Sequence, residues 1–222
     1  GNLTTPVQVK ARDEIGLLGN VFHLMVDRLH ASHRSMVDVL ERALESRDGA
    51  PGSLARLARA SVALADKFEL HPAQREALEL GALLHDIGEI RTPEAVLHKR
   101  GPLTPEERNL VHEHPQAGVE ILETVPLLTP ALDVVGGHHE RWDGAGYPQG
   151  LKAEEIPLPA RIFAVVDALD AMTHDRPYRP ARPLEEALEA LKKEAGRQFD
   201  PRVVEAALAI PAERWTELLN PG

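Results

Sequence analysis

Four apolar stretches of this 222-residue chain carry ionisable side chains that a plain hydrophobic core would reject. Ala82-Leu83-Leu84 runs straight into His85-Asp86. His114 stands before Pro115, at a helix junction. His138-His139 closes the segment begun by Thr129-Pro130, and Asp167 is surrounded by Ala164, Val165, Val166, Ala168 and Leu169. A buried carboxylate or imidazole without a partner is costly. The chain must therefore fold so that these groups find partners. Singly, each has an ordinary reading: His85-Asp86 as a satisfied core or surface pair, His114 as a helix-end cap, His138-His139 as an exposed pair, Asp167 as the partner of Arg161. Together those readings require four coincidences. The alternative is one shared centre with six candidate metal ligands: His85, Asp86, His114, His138, His139 and Asp167. Imidazole and carboxylate donors together suit Fe, Mn, Zn or Ni better than Mg alone. Asp86, next to His85, could bridge two ions about 3.5–4 Å apart, a spacing that recurs in phosphoester cleavage.

The fold that brings them together is expected to be all-α. Aromatic residues make up only 4 % of the chain, and no alternating strand run of useful length occurs. Ala, Leu and Glu abound, which favours helix. From Asp13-Glu14 onward, Ile15, Leu18, Phe22, Met25, Leu29, Ser32, Met36, Val39 and Ala43 recur at spacings of three and four, a heptad stripe that asks for a partner helix. Gly49 to Ser53 breaks that helix. Further helices are expected over Leu54–Phe68 and from Pro72 through about Ile87, with Gly88 as terminator. A short helical turn spans Pro93–Leu97. Thr104-Pro105-Glu106-Glu107 reads as a capping box opening a helix that Pro115 interrupts just after His114. Helices then follow over Gln116–Glu123, from Thr129 to the His pair, from Pro159 to about His174, and near Leu184–Ala195, Pro201–Ala209 and Glu213–Leu219.

The net charge of −10 argues against binding a nucleic-acid polymer. It leaves room for a small anion held by local Arg residues and metal. No cysteine is present, so disulfides and thiolate metal sites are excluded. No apolar run reaches the length of a membrane span, and no signal peptide is expected.

A second signal lies in the loops. Gly144-Ala145-Gly146-Tyr147-Pro148 permits tight backbone geometry and fixes an aromatic ring beside the His pair. Asp175-Arg176-Pro177-Tyr178-Arg179 offers two guanidiniums, the phosphate-binding side chain of choice, although a rigid surface turn would look the same.

His85-Asp86-Ile87-Gly88, His114-Pro115, His138-His139-Glu140-Arg141-Trp142-Asp143-Gly144-Ala145-Gly146-Tyr147-Pro148, Asp167-Ala168-Leu169-Asp170-Ala171-Met172 and Arg176-Pro177-Tyr178-Arg179 resemble the HD-GYP family of HD metallohydrolases. The resemblance runs from about Glu45 to Leu208. It implies a helical domain that hydrolyses cyclic di-GMP to pGpG or GMP with two divalent transition-metal ions, Fe or Mn foremost, Zn or Ni as alternatives. By the same resemblance the six residues above are the metal ligands and Tyr147, Arg176 and Arg179 contact the nucleotide; Asp86 and Glu89, the latter from its place beside the motif and not from the family pattern, are expected as the catalytic carboxylates. Gly1-Asn2-Leu3 through Leu18, with Met25-Val26-Asp27-Arg28-Leu29, is similar to the connector and second helix of a HAMP module. The implied organisation is a partial HAMP module over 1–30, a coiled-coil signalling helix over 31–48, an HD-GYP domain over 49–210 and a C-terminal tail with a short helix over 211–222. A homodimer through residues 13–46 follows, with an upstream membrane sensor segment and a place on the cytoplasmic side of the inner membrane.

Two positions depart from the family pattern. After Arg47-Asp48, the segment Gly49–Arg56 holds no His where the family places a first-metal ligand. Glu89 stands where the family has Lys near the scissile phosphate, although a carboxylate four residues after His85 could instead reach a metal if the helix continued. Two readings stay open: a working phosphodiesterase, or a module that binds metal, with or without cyclic di-GMP, and relays signals. A generic HD nucleotidase would leave the Gly-Tyr-Pro loop without a purpose.

Overall fold

The computed structural model describes residues 14–48, 52–175 and 180–220. Among the described residues the chain forms eleven α-helices and three short 3-10 helices. The only bridge among the described residues is an isolated one between Ala195 and Phe199, so the expected all-α class holds. Backbone contacts divide the chain into two units, Gly1–Ala43 and Leu44–Gly222.

The heptad stretch is one helix, α1 (Glu14–Asp48). Of its stripe, Phe22, Met25 and Val39 are exposed at 56, 64 and 64 %. The side chains of Ile15, Leu18 and Leu29 lie outside the described residues. No helix among the described residues is long and apolar enough to cross a membrane.

The second unit is built around α8 (Leu158–Thr173), whose Ile162, Phe163, Val165, Val166 and Leu169 are fully buried. Packed into the same core are α2 (Ser53–Ala65), α3 (Pro72–Leu84), α7 (Leu132–Gly137), α9 (Leu184–Lys193), α10 (Pro201–Leu208) and α11 (Ala212–Leu219). The last helix closes that core with Trp215, Leu218 and Leu219, and the Trp215 indole N–H donates to Ala207 O at 3.0 Å. Remaining helices are α4 (Glu94–Leu97), α5 (Pro105–His112) and α6 (His114–Leu122). The capping box of α5 forms as expected: Thr104 Oγ1 accepts from Glu107 N at 3.2 Å, and Glu107 Oε2 accepts from Thr104 N at 2.7 Å. α3 carries a capping box that sequence reading overlooked, with the His71 ring accepting from Ala73 N and Gln74 Oε1 accepting from His71 N.

Two boundaries differ from expectation. α3 stops at Leu84, and Ile87–Arg91 is a 3-10 helix with Gly88 inside it rather than at its end. A Cβ at Gly88 would lie 1.9 Å from His114 O and 2.5 Å from Gly118 N. The chain leaves the α-helical path here to press its backbone against α6. The second difference is at Pro115. The break falls at Glu113, before His114, and Pro115 sits in the first turn of α6, where its missing N–H costs nothing.

Buried ion pairs fix the helices around α8. Arg161 pairs with Asp200 at 2.6 Å, and Asp200 also caps α10 through Arg202 N at 2.8 Å. Arg56 of α2 grips Asp170 with two donors, at 2.7 and 3.2 Å. Asp170 in addition lies 3.3 Å from His174 Nδ1. Removing one partner of a buried pair strands the other charge. Asp170→Ala is therefore expected to cost about 3 kcal/mol, read as a lower urea midpoint at unchanged slope. Pairing it with Arg56→Met should recover most of that loss.

Candidate metal centre

Helix ends supply the ligating groups. His85 is the C-cap residue of α3, Asp86 precedes the 3-10 turn, His114 opens α6, and His138 is the C-cap residue of α7. Three imidazoles are oriented by the same device. Nδ1–H donates to a backbone carbonyl: His85 to Ala82 O at 3.1 Å, His114 to Val111 O at 2.7 Å, His138 to Val135 O at 3.0 Å. A carbonyl can only accept, so each Nδ1 carries the proton and each Nε2 is turned toward the centre. There His114 Nε2 and His138 Nε2 lie 3.2 Å apart. In neutral rings these are two lone pairs facing each other, with Asp86 Oδ1 3.3 and 3.6 Å away. A divalent cation would be satisfied by these converging donors. Ligand atoms of Asp86, His114, His138 and His139 all lie within 4.8 Å of one another. This donor set fits a divalent transition ion.

His85 and Asp167 stand outside this group of four. His85 Nε2 is 2.8 Å from the other carboxylate oxygen of Asp86, and its ring is tilted on Phe163 with centroids 4.8 Å apart. Asp86 is therefore flanked on both oxygens. Asp167 is half-buried on α8 and lines, with His138, His139 and Tyr147, a cavity of about 290 Å³ beside the cluster. Glu89 is half-buried on the 3-10 helix and is not among the four, since α3 does not continue to it. Arg176 and Arg179 lie outside the described residues.

The electrostatics follow from burial. Burial disfavours a charged His85, but the Asp86 charge and hydrogen bond outweigh it and raise His85 to about 9. Burial likewise opposes ionisation of Asp86; the His85 charge and the His138 and His85 hydrogen bonds hold it well below the usual carboxylate range. His139 goes the other way, pushed down to about 2 by burial and then by its His138 neighbour, so it is a neutral imidazole. The Tyr147 hydroxyl is pushed up by burial and by the charges of Asp86, Asp167 and Glu89.

The Gly-Tyr-Pro loop is anchored by a residue to which sequence reading gave no role. Glu140 is buried, and its carboxylate accepts from the backbone N–H groups of Gln149, Gly150 and Leu151 at 2.7, 3.1 and 3.0 Å. An acidic side chain directly after the His pair, four residues ahead of a Gly-rich turn, was the available signal. Gly146 lets the returning strand of the loop touch the ligand backbone: a Cβ there would lie 2.4 Å from Arg141 N and 2.6 Å from His139 O. Tyr147 N–H donates to His139 O at 3.2 Å. Gln198 and Phe199, also overlooked, complete the cavity wall.

Comparisons with known proteins show the family. The HD domain family model matches residues 38–203, and a HAMP domain model matches residues 1–31. The cyclic di-GMP phosphodiesterase response regulator RpfG of Xanthomonas campestris pv. campestris is 39 % identical over 82 % of this chain and 49 % of its own length. A cyclic di-GMP phosphodiesterase of Vibrio cholerae is 35 % identical over 95 % of this chain and 47 % of its own. This chain thus spans about half the length of these relatives. Among solved structures, a cyclic GMP-AMP specific phosphodiesterase of Vibrio cholerae superposes with a TM-score of 0.63 at 21 % identity, covering 83 % of this chain and 50 % of that one, which shows a shared fold.

The raised pKa of His85 has a consequence for the metal-free protein. A folded-state value above the unfolded one contributes stability that is complete below about 6.5 and lost as pH rises through about 9. With a chelator present, the thermal midpoint should fall between those limits. Saturating divalent metal, which displaces the proton, should remove most of that dependence.

Proposed function

The chain belongs to the HD-domain family, in its HD-GYP branch, and from that premise we propose that it hydrolyses the phosphodiester bonds of cyclic di-GMP, to pGpG or GMP, in bacterial second-messenger signalling. The observation that carries this reading is the convergence of Asp86, His114, His138 and His139 at the edge of a cavity that also holds Tyr147 and Asp167.

We assign His85, Asp86, His114, His138, His139 and Asp167 as ligands of two divalent transition-metal ions, Fe or Mn foremost, with Zn or Ni as alternatives. Support for a bridging Asp86 is that one of its oxygens faces His85 and the other faces His114 and His138. Such ions, when bound, polarise a phosphoryl oxygen and lower the pKa of water toward neutrality. The protein's own contribution is orientation. Carbonyl-anchored imidazoles fix the donors, and the Glu140-anchored loop fixes Tyr147. Tyr147, Arg176 and Arg179 are proposed to contact the nucleotide, with Asp86 and Glu89 as the catalytic carboxylates. For Glu89 the support is that its charge is felt at the Tyr147 hydroxyl. Each hydrolytic step breaks one P–O3′ bond, water supplying hydroxyl to phosphorus and a proton to the departing oxygen; one step gives pGpG and a second gives two GMP.

The HAMP match supports a signalling context. We propose a partial HAMP module over 1–30, a signalling helix over 31–48, a catalytic domain over 49–210 and a terminal segment over 211–222. The exposed Phe22, Met25 and Val39 support a homodimer through residues 13–46. In the full-length protein an upstream membrane sensor would hold the enzyme at the cytoplasmic side of the inner membrane.

The test is turnover of cyclic di-GMP after anaerobic loading with Fe(II) or Mn(II), followed by chromatography of the products. Wild-type protein should release pGpG or GMP, and His138→Ala should lose both product and bound metal. No product above the His138→Ala control would overturn the enzyme reading. Unchanged metal content in His138→Ala would overturn the ligand assignment.

A further inference from the structure

Tyr147 does not stand free in the cavity. Its ring stacks on His139 with centroids 4.7 Å apart and planes at 27°. It stacks still more closely on His112, at 3.9 Å and 10°. A phenol has two faces, and two stacked imidazoles take one each. What the ring then offers to the cavity is its edge and its hydroxyl.

The backbone of the loop is secured without His112. Glu140 holds Gln149, Gly150 and Leu151, Gly146 packs on the backbone of Glu140 and Arg141, and Tyr147 N–H is taken by His139 O. These contacts leave the side-chain torsions of Tyr147 undetermined. His112 is the last residue of α5, a helix with no buried residue, and it lies outside the motifs that identify the family. Its ring lines the cavity beside the ligands His138 and His139. A core role does not account for it.

We propose that His112 is a positioning residue for cyclic dinucleotide hydrolysis, clamping the Tyr147 ring against the ligand His139 so that the nucleotide meets a fixed hydroxyl rather than an aromatic face. This rests on the proposed phosphodiesterase activity and on Tyr147 as a nucleotide contact. An aromatic pair of this kind stabilises one orientation of the ring modestly. Its loss should therefore weaken binding more than chemistry.

With metal-loaded full chain, His112→Ala is expected to raise KM for cyclic di-GMP about 3- to 10-fold while kcat stays within about 2-fold. His112→Phe, which keeps a flat ring, should return KM to near the wild-type value. In a Tyr147→Phe background, where no hydroxyl is left to position, His112→Ala should add nothing. An unchanged KM in His112→Ala overturns the proposal, and so does an effect undiminished in the Tyr147→Phe background. A wild-type chain that hydrolyses no cyclic di-GMP defeats the proposed function, and the clamp is then decided by nuclear magnetic resonance. Ring-proton signals of Tyr147, assigned by their loss in Tyr147→Phe, should lie upfield in the wild type, move downfield in His112→Ala and stay upfield in His112→Phe. Signals unmoved by His112→Ala show that no clamp exists.

Discussion

Among the described glycines, the tightest approach is one of backbone on backbone. Gly88 lies so near His114 O and Gly118 N that no side chain could intervene. That contact forces α3 to end at Leu84, turns the next residues into a 3-10 helix, and brings Asp86 within reach of the imidazole that opens α6. His138 arrives from α7, which packs on the other side of the same pair of elements; Gly81 and Gly118 make room there for Val134 and Val135. Small residues at these crossings thus act as spacers, and the distances between ligand atoms are set by how closely helices can approach.

Much of this could be read from the order of the residues. The helical class, the capping box at Thr104 and the grouping of Asp86, His114, His138 and His139 all rest on local pattern or on the cost of burying a lone charge. What escaped has a common physical origin. The stop at Leu84 and the break before His114 are decided by a neighbour far along the chain, not by the helix propensity of Ile87 or by Pro115. The partners of Arg161 and Asp170, namely Asp200 and Arg56, are 39 and 114 residues away and leave no periodic trace. Glu140 and His112 each look like ordinary surface residues until the loop folds back over them.

The centre also shows how a chain of net charge −10 can present a cationic face to an anion. Asp86 is neutralised by His85 in the metal-free state, and metal at the four-residue cluster would reverse the local sign. Glu89 acts against this, since its charge faces the same region as the phenol.

Glu140 has a thermodynamic consequence beyond shape. Three N–H groups converging on one buried carboxylate order the Gln149–Leu151 turn when the domain folds, before any ligand arrives. The entropy of arranging that turn is lost once, during folding, and not again at each encounter. The loop is therefore a fixed wall rather than a lid, and the rate at which a ligand enters should be governed by diffusion and by desolvation of the ions it meets, not by the opening and closing of the chain.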